Sequence, residues 1–476
     1  LNKKIWILVA GLFAVRFVLA LLLPLSPQEA YYWNYSRHLA LSYFDHPPLV
    51  AWSIALFTPI FGDTVFAVRL PAFLYSVATF LTLNFVVGKL VGERLKEFLP
   101  LFLSPFFFMG GMQMLPDSPL LFFYSLALYF GHRGAVEGNA KSWAGFGVAA
   151  GLAMLSKYSA VLIFAGLGLY ILLTKNWNVL RSYHLWFSVV LCGLIFSPVI
   201  IWNAENHWAS FLFQSTRRIG ELSGFNPYNF GRYLITQILI ASPILWVINW
   251  RALWVGLQGG LKEPNQSIFF LVGFALPFFL IFTIASFFYW VKLNWLWPGY
   301  LCTTVLAIVL ASHYKLQLWF RASLVSSAAL TTLSTFLLFY QPFAVNWSGN
   351  SLSGWKELAE KLEQMKNLLG GEWLVAGYEY KAASELAFYL TGQPETYSNT
   401  LVGQPGLQYD FWFDEQKILG KNVIFVVDRR YPLKGASDAL SDFFSQVGKL
   451  DSLAVKSGQG YVTTFHIYPC FNYEGR

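Results

Sequence analysis

The sequence predicts a polytopic α-helical membrane protein that carries a soluble α/β domain at its C-terminal end. Three observations lead there. Of the 476 residues, 56% are apolar and only 12% are charged, against roughly 25% charged in soluble domains. The mean hydropathy is +0.49. Charge is also unevenly spread, with 31 charged residues in 1–345 and 27 in the much shorter 346–476. The net charge is +11 in the first part and −3 in the second. A membrane domain over 1–345 and a soluble domain over 346–476 are therefore expected.

A membrane-crossing helix needs about 20 mostly apolar residues. The first such run, 5–25, follows Lys3 and Lys4 and has no small-residue cleavage site. It reads as a retained anchor rather than a signal peptide. Further runs lie near 65–88, 98–114, 118–131, 142–156, 158–173, 185–202, 233–250, 267–288, 294–311 and 321–340, which makes about eleven spans. The 98–173 stretch divides least clearly, so the expected range is ten to thirteen.

Cytoplasmic loops of membrane proteins collect Lys and Arg. With the N-terminus inside, thirteen basic residues fall in inner loops and six in outer ones, with Arg69 just inside the second span. This places 346–476 outside. It also accounts for a pI near 9.1 without a nucleic-acid partner. The same threading puts Glu29, Asp45, Asp63, Asp117, Glu205 and Glu221 on the outer face. Cys192, Cys302 and Cys470 form neither a disulfide framework nor a CxxC zinc pattern.

The outer loops carry the chemistry. The first, about 26–62, is longer than ordinary connections and holds Glu29, Arg37, His38, Asp45 and His46. It is aromatic-rich and is expected along the membrane surface as short helices. Pro47-Pro48 ends any helix there. Tyr31, Tyr32, Trp33 and Tyr43 are candidates to line the substrate, with interfacial anchoring as the bland alternative. Asp117 opens a span and is either functional or a helix N-cap. Lys157 is either functional or a snorkelling lysine. Arg217-Arg218 lie outside against the charge bias, facing lipid headgroups or a bound phosphate. Lys292 stands among aromatics. Carboxylates can take a proton from an acceptor hydroxyl, and cations can hold a departing phosphate. A phosphate-linked lipid substrate fits this set.

The tail reads as a small α/β domain: an amphipathic helix over 354–369, a strand over 373–378, a helix over 382–390, a buried strand over 422–427 and an alternating one over 461–468. It shows no nucleophile, metal or phosphate-loop motif. Acceptor binding, covering the cavity or a structural cap are its expected roles.

The segments QEAYYWNYSRHLALSYFDHPPLVAW, RLPAFLYSVAT, PDSPLLFFYSLALY, GLAMLSKYSAVLI and KLNWLWPGY resemble bacterial glycosyltransferase family 39, relatives of the protein O-mannosyltransferases and of the lipid A aminoarabinose transferase. The resemblance covers about 1–310. It implies the GT-C fold. It also implies an inverting transfer of a hexosyl or pentosyl group from a polyprenyl phosphate to an acceptor, outside the bacterial inner membrane. Gln28-Glu29 stands where the family usually has Asp-Glu, so the usual base is replaced. Glu29, Asp45 and Asp117 are the substitutes, ranked Glu29, Asp117, Asp45. By the same resemblance His46, one of Arg217 and Arg218, and Lys292 stand at the donor phosphate; with Lys157, which joins them as an outer-face cation, they are the donor-phosphate candidates. Asp45 and His46 are the ligands if a divalent metal takes part; no other cofactor is implied. The acceptor is a lipid A or lipopolysaccharide-type glycolipid, with a protein hydroxyl as the alternative. A lipid or sugar transporter is the rival class. Transporters tend to carry internal repeats and broken mid-bilayer helices, and no repeat relates the two halves here.

Overall fold

The computed structural model describes residues 3–92, 94–217, 220, 224–259, 265–314, 316–339, 351–458 and 460–475. Helices stand at each of the expected runs. Among the described residues, six are long and apolar enough to cross a membrane: Lys3–Leu22, Val65–Val91, Tyr183–Glu205, Gln266–Ala285, Leu293–Ala311 and Gln317–Leu338. Helices Asp117–Ala135, Ser142–Ser156 and Leu162–Thr174 are apolar too. The protein is a multi-pass membrane protein.

Two expected spans are broken. The run near 233–250 is a pair of helices, Pro227–Ala241 and Pro243–Leu257, bent by 106°. Pro243 has no N–H to continue the first helix, and Ser242 takes a positive φ of 71° to make the corner. The run near 98–114 divides into Leu95–Phe102 and Pro105–Gly110, with Pro105 in the first turn of the second. A backbone group freed in hydrocarbon must find another partner. Here the Leu103 carbonyl accepts from Thr331 Oγ1.

The chain forms two units. The first comprises 1–20, 40–50 and 69–335; the second comprises 21–39, 51–68 and 336–476. In the first unit, small residues let helices approach backbone to backbone, as is common where lipid leaves packing to hold helices together. A Cβ on Gly273 would lie 2.8 Å from the Gly166 carbonyl oxygen, and one on Gly166 would lie 2.9 Å from the Phe274 Cα. Helices Leu162–Thr174 and Gln266–Ala285 meet there.

In the second unit a six-stranded sheet has the order β2-β1-β3-β6-β4, with β5 also pairing β6. The strands are β1 (Trp373–Gly377), β2 (Thr396–Tyr397), β3 (Asn422–Asp428), β4 (Phe444–Val447), β5 (Asp451–Ser457) and β6 (Gly460–Tyr473). β1 pairs β2 and β3 in parallel, while β6 pairs antiparallel with β3, β4 and β5. Side chains alternate along a strand. Thus Ile424 and Val426 of β3 enter one core with Trp355, Leu358 and Leu362. Val423, Phe425 and Val427 enter another with Leu401, Leu440 and Cys470. Burial on both faces is why β3 reads as an unbroken apolar run. The boundary expected at 345/346 lies outside the described residues.

A leucine at position 273 meets rigid backbone. Gly273→Leu is expected to destabilise the protein by about 1–3 kcal/mol, the usual range for overpacking. Thermal unfolding in detergent checks this; an unchanged midpoint refutes the close approach.

Candidate active site

The ends of three helices of the first unit converge on one carboxylate. Asp117 opens helix Asp117–Ala135, Lys157 follows helix Ser142–Ser156, and Asn294 precedes helix Trp297–Tyr314. Lys157 Nζ donates to Asp117 Oδ1 at 2.8 Å, and Asn294 Nδ2 donates to Oδ2 at 2.6 Å. Asp117 is 1% exposed and Lys157 8%. The helix N-cap reading of Asp117 therefore gives way, because its side chain holds two other groups and the cap position is Pro116, with no side-chain cap bond. The snorkelling reading of Lys157 gives way as well, since its ammonium is paired inside the protein.

Local backbone explains the meeting. At Lys157 the helix breaks into an extended residue with φ −159° and ψ 137°, followed by the short 3-10 turn Tyr158–Val161. This sends two adjacent side chains to different partners. Lys157 reaches Asp117, and the Tyr158 hydroxyl bonds to Ser210 Oγ. Asp45 lies close enough to act electrostatically on Tyr158. The Asp45 carbonyl accepts from Gln214 Nε2 at 2.8 Å, and Phe44 packs on Phe213 with ring centroids 4.7 Å apart. The DHPP segment is thereby anchored on the π-helical turn Phe213–Arg217. Arg217 belongs to that turn; Arg218 and Glu221 lie outside the described residues. Lys292 is exposed, two residues before Asn294. Tyr43 is buried, its hydroxyl accepts the Ala40 N–H, and burial pushes its phenol well above the ordinary value.

Asp117, Lys157 and Asn294 all lie where the charge bias assigns outer ends. At opposite ends of these helices, His132 Nε2 is 2.8 Å from Ser267 Oγ, and the Tyr170 hydroxyl donates to the Ala135 carbonyl and to Gln266 Oε1.

Glu29 belongs to the second unit. It sits in a capping box opening helix Pro27–Arg37, where Ser26 N–H and Ser26 Oγ each reach Glu29 Oε2 at 3.0 Å. It is fully buried, whereas Gln28 beside it is partly exposed. The expected surface helix is buried on nearly every side. Tyr31 packs against Tyr380 and Tyr409 and its hydroxyl accepts the Gln408 N–H. Trp33 donates to Asp63 Oδ1 at 2.7 Å and meets Phe388 edge-on. Tyr32 is buried between Tyr31 and Tyr35. The aromatic residues of this helix thus pack into the sheet-bearing unit.

Residues passed over in the sequence also matter. Asn294 stood inside the KLNW segment, but an amide carries no charge to draw attention. Asn203 holds the Phe211 N–H and the Val199 carbonyl, ordering the turn that carries Ser210. Among the described residues no group of three or more His, Cys, Asp or Glu side chains is placed to hold a metal ion. Asp45 and His46 would need substrate or water oxygens to complete a coordination shell.

Comparison with known proteins agrees with this architecture. Residues 45–202 match the family described as dolichyl-phosphate-mannose-protein mannosyltransferase. The chain is 26% identical over 294 residues to the lipid A galacturonosyltransferase RgtD of Rhizobium johnstonii, covering 59% of each. It is 26% identical over 341 residues to an undecaprenyl phosphate-alpha-4-amino-4-deoxy-L-arabinose arabinosyl transferase of Edwardsiella ictaluri, covering 64% of this chain and 60% of that one. The matches thus span about three fifths of these relatives' lengths. The crystal structure of ArnT from Cupriavidus metallidurans bound to undecaprenyl phosphate superposes with a TM-score of 0.67 at 16% identity, covering 98% of both chains. The fold is therefore GT-C. This is the fold that the family 39 resemblance implied.

Removing one member of a buried ion pair strands the other, at a cost of about 3–5 kcal/mol. Asp117→Asn should destabilise the protein by about that much, and adding Lys157→Met should recover most of it. Thermal unfolding of the single and double variants checks this; additive losses would mean the two side chains are not coupled.

A second expectation concerns the other unit. Glu395 receives Arg37 Nη2 and His38 Nε2, each at 3.1 Å. The His38 hydrogen bond, with the charges of His38 and Arg37, holds its carboxyl below the ordinary 4.5. A depressed carboxyl contributes stability that is present above the ordinary value and lost as pH falls through the lower, folded one. Glu395→Gln should flatten the fall in melting temperature below about pH 4.5; an unaltered acid limb rules out this contribution.

Proposed function

We propose that this chain is an inverting glycosyltransferase. It moves a sugar from a polyprenyl-phosphate donor to a lipid A or lipopolysaccharide-type acceptor on the outer side of the bacterial inner membrane. The observation that carries the reading is the buried Asp117–Lys157–Asn294 cluster at the outer helix ends of a GT-C fold. The relatives support the donor and acceptor classes, since RgtD is named for lipid A and ArnT was crystallised with undecaprenyl phosphate. In this reading 1–345 is the catalytic membrane domain, 346–476 is extracytoplasmic, and the N-terminus is cytoplasmic. A protein acceptor is the second reading, favoured by the mannosyltransferase family match.

The chemistry follows from the charges. The acceptor hydroxyl must lose its proton as it attacks the anomeric carbon, and the phosphate leaves with growing negative charge. Asp117 keeps Lys157 oriented by taking its ammonium on one oxygen and the Asn294 amide on the other. Lys157, Arg217, Arg218, Lys292 and His46 supply the positive field for the phosphate. For the proton acceptor the geometry favours Asp45 over the glutamate that ranked first in the sequence. Glu29 serves its own helix cap and Asp117 is engaged on both oxygens. Asp45 adjoins Tyr158, the residue after Lys157. Tyr31, Tyr32 and Trp33 then act by holding the first-loop helix, with Tyr43 beside Asp45.

The deciding assay combines purified protein, a polyprenyl-phosphate sugar and a panel of glycolipid and peptide acceptors. Asp45→Asn should lower turnover about 100- to 10,000-fold, the range for loss of a general base. Glu29→Gln should leave turnover near normal, because glutamine also completes a capping box. The reverse pattern makes Glu29 the base. Lipid flux across vesicles without transfer would replace the enzyme reading with the transporter one.

Orientation has its own check. All three cysteines are buried, so the unaltered chain should resist an impermeant thiol reagent. Leu368 is 88% exposed, and Leu368→Cys should label in intact spheroplasts. Labelling only after lysis would invert the topology.

A further inference from the structure

One charge escaped the sequence reading because it sits inside a span. Arg16 lies within helix Lys3–Leu22 and is 1% exposed. An ionisable side chain inside the membrane is expensive unless it is paired. Its Nη2 donates to the Phe107 carbonyl at 2.9 Å, and the guanidinium lies 5.6 Å from the Phe13 ring and 5.9 Å from Phe108. Nε and Nη1 are buried as well, and among the described residues no acceptor reaches either of them.

The surroundings are shaped around this group. A Cβ on Gly111 would lie 1.1 Å from Arg16 Nη2, and one on Gly110 would lie 2.1 Å from Trp297 Cη2. The Gly110-Gly111 pair therefore makes room for the guanidinium and the indole side by side. Both line a small cavity with Ser76, Thr79, Gly111 and Ser118. Trp297 Nε1 is a further buried donor without an acceptor. The Ser118 and Thr79 hydroxyls donate to the Gln113 and Tyr75 carbonyls, and no carboxylate lines the space. A full positive charge with unsatisfied N–H donors around an otherwise apolar space selects for negative charge. The space has room for about one water-sized body. A tetrahedral phosphate does not fit.

We propose that this cavity binds one small monovalent anion of chloride size, held by Arg16. The anion neutralises the arginine and secures the end of helix Pro105–Gly110. Ser118 lies on the cavity next to Asp117, so the site adjoins the Asp117–Lys157–Asn294 cluster without sharing a residue with it. It is distinct from the donor-phosphate group proposed above and does not depend on it.

The test uses the full chain purified in detergent, melted in sodium chloride and in sodium gluconate at equal ionic strength. Chloride should raise the melting temperature saturably, by a few degrees, as expected for a ligand that binds only the folded state. Bromide should substitute and inorganic phosphate should not. Arg16→Met should lose the chloride response. Equal melting in chloride and gluconate overturns the proposal, as does an equal rise with phosphate or an unchanged chloride shift in Arg16→Met. If that variant does not fold, crystals of the unaltered protein grown in bromide decide. An anomalous peak beside Arg16 supports the site, and its absence removes it.

Discussion

A charge withdrawn from water must be matched by an opposite charge or by hydrogen bonds, and in a largely apolar chain that constraint organises the rest. Asp117 and Lys157 are both buried, and neither is tolerable alone. Their pairing ties the start of one helix to the end of the next, and Asn294 ties in a third. A buried ion pair adds little net stability over an apolar pair of similar shape. Its presence therefore argues for a positioned cation rather than for a stronger fold. Lys157 is held in one orientation by the carboxylate it pairs with.

Helix breaks are the means by which side chains reach such positions. A continuous helix satisfies its own backbone and repeats its faces regularly. At Lys157 the backbone turns extended for one residue, and lysine and tyrosine separate toward different partners. At Ser242-Pro243 and at Leu103–Pro105 the chain corners within apolar sequence. A corner frees backbone groups, and another helix can supply the partner, as Thr331 does for the Leu103 carbonyl. Glycine has the complementary role. Gly166 and Gly273 bring backbones together, and Gly110-Gly111 leave space for a guanidinium and an indole.

The first-loop helix shows how one motif can carry two meanings. SPQEAYYW looks like an exposed acidic and aromatic patch, yet Ser26 and Glu29 close the helix start and the rings enter a core. Asn34 and Ser384 share the Tyr409 hydroxyl, and the Leu25 N–H reaches Tyr389. The helix therefore belongs with the sheet-bearing unit although more than 300 residues separate them. Gln28, in the position of the usual aspartate, stays partly exposed.

Sequence by itself determined the class of the protein, because hydropathy, helix period and strand alternation are local properties. The apolar runs, the uneven charge, and strands such as NVIFVV are each set by neighbours a few residues away. The carboxylates and cations of the loops were also legible as a set, since few charges interrupt so apolar a chain. Tertiary structure alone decided which of them meet. Asp117 and Lys157 are 40 residues apart and Asn294 is 177 from Asp117; no local pattern encodes those pairings. It also decided that the span near 233–250 is a corner, that Glu29 serves a helix cap, and that Arg16 faces a cavity. In each case the physical reason is the same. Burial and electrostatic compensation depend on the atoms that surround a group, and folding brings those atoms from distant parts of the chain.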